Sequence, residues 1–82
     1  MFINKTEDGK NNACGGRVSE LRKQLNISQW ELADRLQISG LDIDKNAIQR
    51  IEAGKRFVTD IEIVYLANIF NVSCNYLITG KE

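Results

Sequence analysis

Eleven basic and eleven acidic side chains leave the 82-residue chain without formal net charge at pH 7, while 43% of its residues are apolar. These proportions are typical of one small globular domain and exclude a disordered chain or a strongly basic protein. No apolar run approaches the roughly 20 residues that span a bilayer, and the N-terminus lacks the apolar run of a signal peptide. We therefore expect a cytoplasmic protein with no membrane partner.

The residues that most enzymes and metal sites use are scarce. Histidine, the commonest general base near neutral pH, is absent, and no Gly-rich phosphate loop follows a strand. Cys14 and Cys74 are too few and too far apart for a zinc site, and we expect free thiols, with a disulfide as the alternative. Asp60 and Glu62 are interpreted as acids at the start of a helix. We predict no catalytic residue, no metal ligand, no cofactor and no small-molecule ligand.

The chain begins with a segment that shows no sustained apolar period. Residues 1–16 are rich in Asn, Gly and charged side chains, and we interpret them as a flexible N-terminal arm. A DNA-binding arm is the alternative, but two acids balance its two lysines. Residues 17–80 are assigned to one folded domain.

The first two predicted helices carry strong local signals. The first covers Arg17–Leu25 and ends near Asn26. Ser28 opens the second as the first residue of an S-x-x-E capping box, and Gly40 ends it. The inward-facing residues predicted for these two helices are Val18, Leu21, Leu25, Leu32, Ala33, Leu36 and Ile38.

The third predicted helix is short and has two different faces. Asp44 is a good N-cap, because its carboxylate can accept hydrogen bonds from the first turn, and Gly54 can end the helix. The apolar stripe consists of Ala47, Ile48 and Ile51. The opposite face offers side chains of the types that hydrogen-bond base edges in a DNA major groove, namely Lys45, Asn46, Gln49 and Arg50. Taken alone, this stretch favours the simpler interpretation, an amphipathic helix with a solvated polar face.

The charges are distributed unevenly along the chain, although their sum is zero. Residues 45–56 carry four basic side chains against one acidic side chain. Because binding depends on the local field at the contact surface, a neutral chain can still present a basic face.

The last third of the chain is predicted to be scaffold. Thr59 begins a second capping box, and Ser73 caps a short fifth helix that Gly80 ends. Helical spacing relates Ile63, Leu66, Ala67 and Phe70. We expect Phe57, in the loop before the fourth helix, to pack into the core of the bundle. Four further apolar residues could be late core or a patch where two copies meet, and these are Tyr65, Ile69, Tyr76 and Ile78.

Two segments together carry a family resemblance. SQWELADRL followed by NAIQRIEAGKR, with VSELRKQLNISQ upstream and NVSCNYLITG downstream, resembles the Cro/CI-type (XRE-family) helix-turn-helix domain. The similarity runs from Arg17 to Leu77. It implies an all-α fold, a compact five-helix lambda-repressor-like domain, and double-stranded DNA as the partner.

The resemblance also implies roles for individual residues. The implied base contacts are Lys45, Asn46, Arg50 and, at their edge, Gln49. The implied phosphate contacts are Gln29, Lys55 and Arg56. Arg22 and Glu52 match a structural salt bridge between the first and third helices, and a partly buried carboxylate does need a cation beside it.

The sequence departs from the family pattern between the second and third helices. The usual turn has about 3–4 residues, whereas here Ser39–Ile43 is inserted and extends the turn. Leu41 and Ile43 are apolar, so we expect the insert to fold back onto the core. For Trp30, we prefer packing on the insert over stacking against the DNA sugar-phosphate.

These observations predict a sequence-specific DNA-binding transcriptional regulator that acts as a repressor. We expect it to bind DNA as a homodimer and to insert the helix at residues 44–53 into the major groove. The alternative is a protein-interaction or antitoxin-like module that keeps the helix-turn-helix fold. The zero net charge and the inserted turn favour that alternative somewhat.

Overall fold

In the computed structural model, which describes residues 5–82, the chain folds into five α-helices. They are α1 (Gly15–Gln24), α2 (Gln29–Ser39), α3 (Lys45–Glu52), α4 (Asp60–Phe70) and α5 (Cys74–Thr79). No strand occurs in the described residues, and none of their helices is long and apolar enough to cross a membrane. The predicted all-α, five-helix fold is confirmed.

Side-chain caps fix where four of the helices begin. The capping residues are Ser28, Asp44, Thr59 and Ser73. The capping box of α4 is complete, because Thr59 and Glu62 each bond the other's backbone N–H. In α2 only the Ser28 half of the predicted box forms among the described residues. The Glu31 carboxylate lies 2.8 Å from Arg35 instead.

Helix α1 begins at Gly15, earlier than the predicted start at Arg17. Its first N–H groups need acceptors, and Oδ1 of Asn12 accepts from the Gly15 N–H at 2.8 Å. Residues 1–4 of the predicted arm lie outside the described residues. The division into an arm over residues 1–16 and a domain over residues 17–80 stays a prediction.

The apolar core surrounds the inner face of α3. Ile48 and Ile51 are fully buried, and α3 packs against both α1 and α2. Ala33 on α2 is also buried, and its small side chain allows a close helix crossing. Together the buried apolar residues are Cys14, Val18, Ile27, Leu32, Ala33, Leu36, Ile43, Ile48, Ile51, Ile63, Leu66, Ala67, Phe70 and Leu77. Because one side of α3 is held in this core, its other side faces outward.

The extended connection between α2 and α3 covers residues 40–44 and folds back as predicted. Gly40 takes a left-handed conformation with φ 114°, which L-residues rarely adopt, and the Leu41 N–H then donates to the Leu36 carbonyl at 2.9 Å. Ile43 is buried and Leu41 packs against the core. The Gln37 amide donates to the Ile43 carbonyl at 2.6 Å, so the turn is tied to the end of α2.

Two side chains of α2 lie on the opposite side of the helix from their predicted places. Ile38 is 86% exposed, so its assignment to the core is wrong, and Trp30 is 67% exposed rather than packed on the insert. Each lies two positions from a fully buried leucine, Leu36 or Leu32. Two helical positions correspond to a rotation of roughly 200°, which turns both side chains toward solvent.

Two further predictions about the core are wrong at the ends of helices. Leu25 lies just after α1 and is 47% exposed, and Phe57 is 58% exposed in the connection before α4. Val58 packs against the core from that connection in place of Phe57.

The four surplus apolar residues of the C-terminal part divide between core and surface. Tyr65 and Ile69 pack against the core, and Tyr76 is partly buried. Ile78 is 46% exposed. Both cysteines are free thiols, which confirms that expectation.

Candidate nucleic-acid interface

Helix α3 presents the four predicted base-contacting side chains on its outer side. Asn46, Gln49 and Arg50 are exposed, and Lys45 is partly exposed. The Asp44 cap fixes the start of the helix, since its carboxylate accepts from the Ala47 N–H at 2.8 Å. An α-helix with its side chains is about 10–12 Å in diameter, which suits entry into a major groove about 12 Å wide.

The polar groups on this face have few partners within the chain. Lys45 Nζ lies 3.4 Å from Gln49 Oε1, which is a long hydrogen bond. The side chains of Asn46 and Arg50 make no hydrogen bond to any of residues 5–82. Their amide and guanidinium groups are therefore solvated and available to a ligand.

Arg22 and Glu52 form a bidentate ion pair between α1 and the end of α3. Arg22 Nε lies 2.7 Å from Glu52 Oε2, and Arg22 Nη2 lies 3.1 Å from Glu52 Oε1. Only 13% and 8% of the two side chains remain exposed. The bonds to Glu52 raise the pKa of the Arg22 guanidinium above its ordinary value. Arg22 also donates to the Ile27 carbonyl at 2.9 Å, so one side chain connects α1, α3 and the residue before the α2 cap.

Gln29, the first residue of α2, lies beside this pair. Its Nε2 donates to Glu52 Oε1 at 3.1 Å, which fixes the direction of the amide. The Glu52 carboxylate thus accepts three hydrogen bonds from two other helices. Since an amide nitrogen carries two hydrogens, Gln29 keeps a second donor after this bond.

The connection between α3 and α4 carries two of the predicted phosphate contacts, Lys55 and Arg56, which lie in different environments. Lys55 is exposed. Arg56 donates to both oxygens of Glu62 at 2.9 Å and to the Phe57 carbonyl at 3.1 Å. Sequence reasoning did not find this second ion pair.

The pair between Arg56 and Glu62 changes the titration of the carboxyl. Hydrogen bonds from Arg56, together with the Thr59 N–H, hold the pKa of Glu62 below its ordinary value, although burial opposes the shift. The Glu62 side chain is 12% exposed and the Arg56 side chain 31% exposed. Arg56 is therefore already engaged in the fold, in contrast to Lys55.

Two asparagines before α1 also reach this region, and no sequence motif indicated them. Asn11 donates to the Lys55 carbonyl at 2.9 Å, and Asn12 donates to the carbonyls of Ile51 and Arg56 at 3.1 and 2.8 Å. Their amides lie about 40 positions away in sequence and belong to no helical period, so no local pattern could have indicated these bonds.

The described residues contain no cluster of His, Cys, Asp or Glu that could hold a metal ion. Three exposed or partly exposed cations remain along the outer side of α3 and the following connection, and these are Lys45, Arg50 and Lys55. Such an arrangement can donate hydrogen bonds to an extended polyanion and balance its negative charge.

Comparison with known proteins agrees with this fold. The helix-turn-helix domain family matches residues 15–82, while no curated protein sequence gave a significant match. A solved structure of the P22 c2 repressor protein, in complex with a synthetic operator, is similar with a TM-score of 0.73. That similarity covers 85% of this chain and 98% of the other at 23% identity, and it supports the lambda-repressor-like architecture. The chain therefore belongs to the helix-turn-helix domain family and is of the Cro/CI type that its motifs resemble.

Proposed function

We propose that this protein is a sequence-specific transcriptional regulator that binds double-stranded DNA, with α3 in the major groove. The observation that carries the proposal is the outward polar face of α3, held in place by buried Ile48 and Ile51. Membership of the helix-turn-helix family supports it, as does the fold shared with a repressor solved on an operator. Repression follows most simply from such a domain, because binding at a promoter excludes other proteins.

Base recognition is assigned to the outer face of α3. Lysine and arginine pair with guanine O6 and N7, and asparagine and glutamine pair with adenine N6 and N7. The residues assigned to this role are Lys45, Asn46, Gln49 and Arg50. Asn46 and Arg50 are the stronger candidates, since no group among residues 5–82 competes for their hydrogen bonds.

Phosphate binding is assigned first to Gln29 and Lys55. The second donor of Gln29 lies at the start of α2, where the helix dipole favours an anion. Lys55 is exposed beyond the end of α3. The family resemblance also implies a phosphate contact for Arg56, but its guanidinium is bonded to Glu62. We assign it to shaping the connection that carries Lys55.

Binding as a homodimer is proposed from the size of the site and from an exposed apolar patch. One eight-residue helix reads too few bases for tight binding, so two copies on a two-fold operator should combine their contacts. Phe57, Ile61 and Val64 are 58%, 64% and 49% exposed and follow Lys55 by two, six and nine positions. We propose these residues as the contact between the two copies.

A protein-binding module is the second candidate. It is favoured by the exposed apolar side chains on α2, because Trp30 and Ile38 are eight positions apart and share one side of the helix. The zero net charge also fits it. In that case α2, rather than α3, would carry the main contact.

Selection of bound fragments from random duplex DNA at a fixed salt concentration tests the proposal. We expect enrichment of two related half-sites about 10 base pairs apart, or a multiple of that spacing, with the second inverted. Binding without enrichment would indicate a merely basic surface. No binding at low salt would contradict the DNA-binding proposal and favour the protein-binding module.

A further inference from the structure

The segment before α1 forms a strap across the connection that follows α3. We define the strap as Lys10, Asn11 and Asn12. The Asn11 backbone N–H donates to the Gly54 carbonyl at 2.8 Å, and its side chain donates to the Lys55 carbonyl at 2.9 Å. Asn12 donates to the carbonyls of Ile51 and Arg56 at 3.1 and 2.8 Å. The strap thus supplies donors to four carbonyls between residues 51 and 56.

Ile51 lies in the last turn of α3, whose carbonyls lack partners in the helix's own hydrogen-bond ladder, and the other three carbonyls lie in the connection that follows. Supplying them from a separate segment fixes the path of the backbone after α3. Lys55 is held on both sides, because its N–H donates to the Arg50 carbonyl at 2.9 Å and its carbonyl accepts from Asn11. Its side chain nevertheless remains exposed. A fixed backbone with an exposed cation is the arrangement expected of a preorganised phosphate contact.

The strap is itself anchored to α1 by close packing. Oδ1 of Asn12 accepts from the Gly15 N–H at 2.8 Å, so one amide bonds α1, α3 and the connection after α3. A Cβ at position 15 would lie 2.1 Å from the Ile51 carbonyl oxygen. Glycine at this position therefore allows the start of α1 to meet the end of α3. The aliphatic carbons of Lys10 lie against Gly54, where an added Cβ would meet them at 2.8–3.1 Å.

We propose that Asn11 and Asn12 are positioning residues for the phosphate contact made by Lys55. They act through the backbone of residues 51–56 and touch no DNA themselves. This inference rests on the proposed DNA binding and extends the site to a segment outside the helix-turn-helix motif. It also gives part of residues 1–16 a role in the site.

The proposal predicts energetic coupling between the strap and Lys55. The experiment measures DNA affinity for the parent, Asn12→Ala, Lys55→Ala and the double variant, on a selected duplex and on a random duplex. All titrations are made well below the melting temperature of each variant, with the folded fraction determined by circular dichroism. We expect Asn12→Ala to lower the affinity for both duplexes by a similar factor, about 3- to 10-fold. In the Lys55→Ala background, the same change should lower the affinity by less than about 2-fold.

A matched control is available at the other end of the domain. Asn75 also donates its side-chain amide to a backbone carbonyl, that of Lys81 at 3.0 Å. Asn75→Ala should leave DNA affinity at the parent value even if it lowers stability. If Asn12→Ala does not fold, Asn11→Ala takes its place, because it removes only the bond to the Lys55 carbonyl and keeps the backbone bond to Gly54.

The outcomes separate the inference from the function on which it rests. A parent that binds no duplex overturns the proposed function and the strap's role with it. The positioning role alone is overturned if the parent binds DNA and the strap variants bind with the parent's affinity. It is also overturned if the affinity loss from a strap variant is the same with and without Lys55→Ala. Coupled losses that are equal on both duplexes support it.

Discussion

Arginines near the end of α3 fall into two groups, one exposed and the other paired with a largely buried glutamate. Arg50 is exposed on the outer face of α3, and its side chain makes no hydrogen bond to the other described residues. Arg22 and Arg56 each bond both oxygens of one glutamate, Glu52 or Glu62. A basic residue in a helix-turn-helix motif can therefore serve the ligand or the fold, and the presence of a buried carboxylate beside it decides which.

The largest expected effect lies in the paired group. Glu52→Gln leaves the Arg22 charge, 13% exposed, without its carboxylate. We expect a loss of about 3–5 kcal/mol in the free energy of unfolding. In a domain of this size, each kcal/mol corresponds to about 4–8 °C in melting temperature, so the fall should exceed about 12 °C.

Chemical and thermal unfolding measure this loss directly. Glu31→Gln is the matched control, since its pair with Arg35 is roughly half exposed and should contribute about 0–1 kcal/mol. If both variants unfold like the parent, the ion pair at Glu52 does not stabilise the domain.

A second comparison is between the neighbouring cations Arg56 and Lys55. Arg56→Ala removes the partner of Glu62 and should cost about 1–3 kcal/mol of stability, less than the first pair because the Arg56 side chain is 31% exposed. Lys55→Ala should change stability by less than about 0.5 kcal/mol. It should instead lower the slope of log affinity against log salt by about 0.9.

Urea unfolding and DNA titrations across a salt series test both halves. The reverse result, a stable Arg56→Ala variant with a reduced salt slope, would restore Arg56 as a phosphate contact and contradict its structural role.

An intermediate effect is expected on the outer face of α3. Asn46→Ala should weaken the preferred duplex by about 1–3 kcal/mol and relax the choice of base at one position, because a bidentate contact to adenine is lost. Asn68→Ala, an exposed asparagine on α4, is the control and should bind like the parent. Equal losses on specific and random duplexes would show that Asn46 does not read sequence.

The smallest effect is a change in acid stability. The pKa of Glu62 is held below its ordinary value of about 4.5, so its pair with Arg56 stabilises the fold above that pH and the contribution is lost as pH falls further. Glu62→Gln should therefore lose less stability than the parent as pH falls below 5. The slope of its free energy of unfolding against pH should be smaller by the equivalent of about one proton. Parallel pH profiles for the two proteins would show that the pair does not titrate as proposed.

Sequence could predict the helices because their signals are local. Caps such as Asp44 and Thr59, and terminators such as Gly40, act within a few residues, and they lie where predicted. Which side of the chain was buried was harder to predict near the ends of helices. Ile38 is apolar but lies two helical positions from buried Leu36 and so faces solvent, and Val58 packs against the core where Phe57 was expected.

The candidate site shows the same limit more strongly. The outer face of α3 follows from helical period, and Arg22 with Glu52 follows from family resemblance. The pairing of Arg56 with Glu62 and the bonds of Asn11 and Asn12 depend on tertiary proximity. No spacing rule contains that information, so these contacts could only be found in the structure.

The most direct test of the central claim is a paired selection from random duplex DNA with the parent and with Arg50→Ala. Arg50 is the exposed arginine of α3, and its truncation removes a candidate guanine contact without breaking any bond to the described residues. We expect the parent to enrich a two-fold-symmetric site and the variant to lose its preference at one position in each half-site while keeping the others. An unchanged preference pattern in the variant would contradict the claim that this face of α3 reads DNA, and so would the absence of any enrichment by the parent.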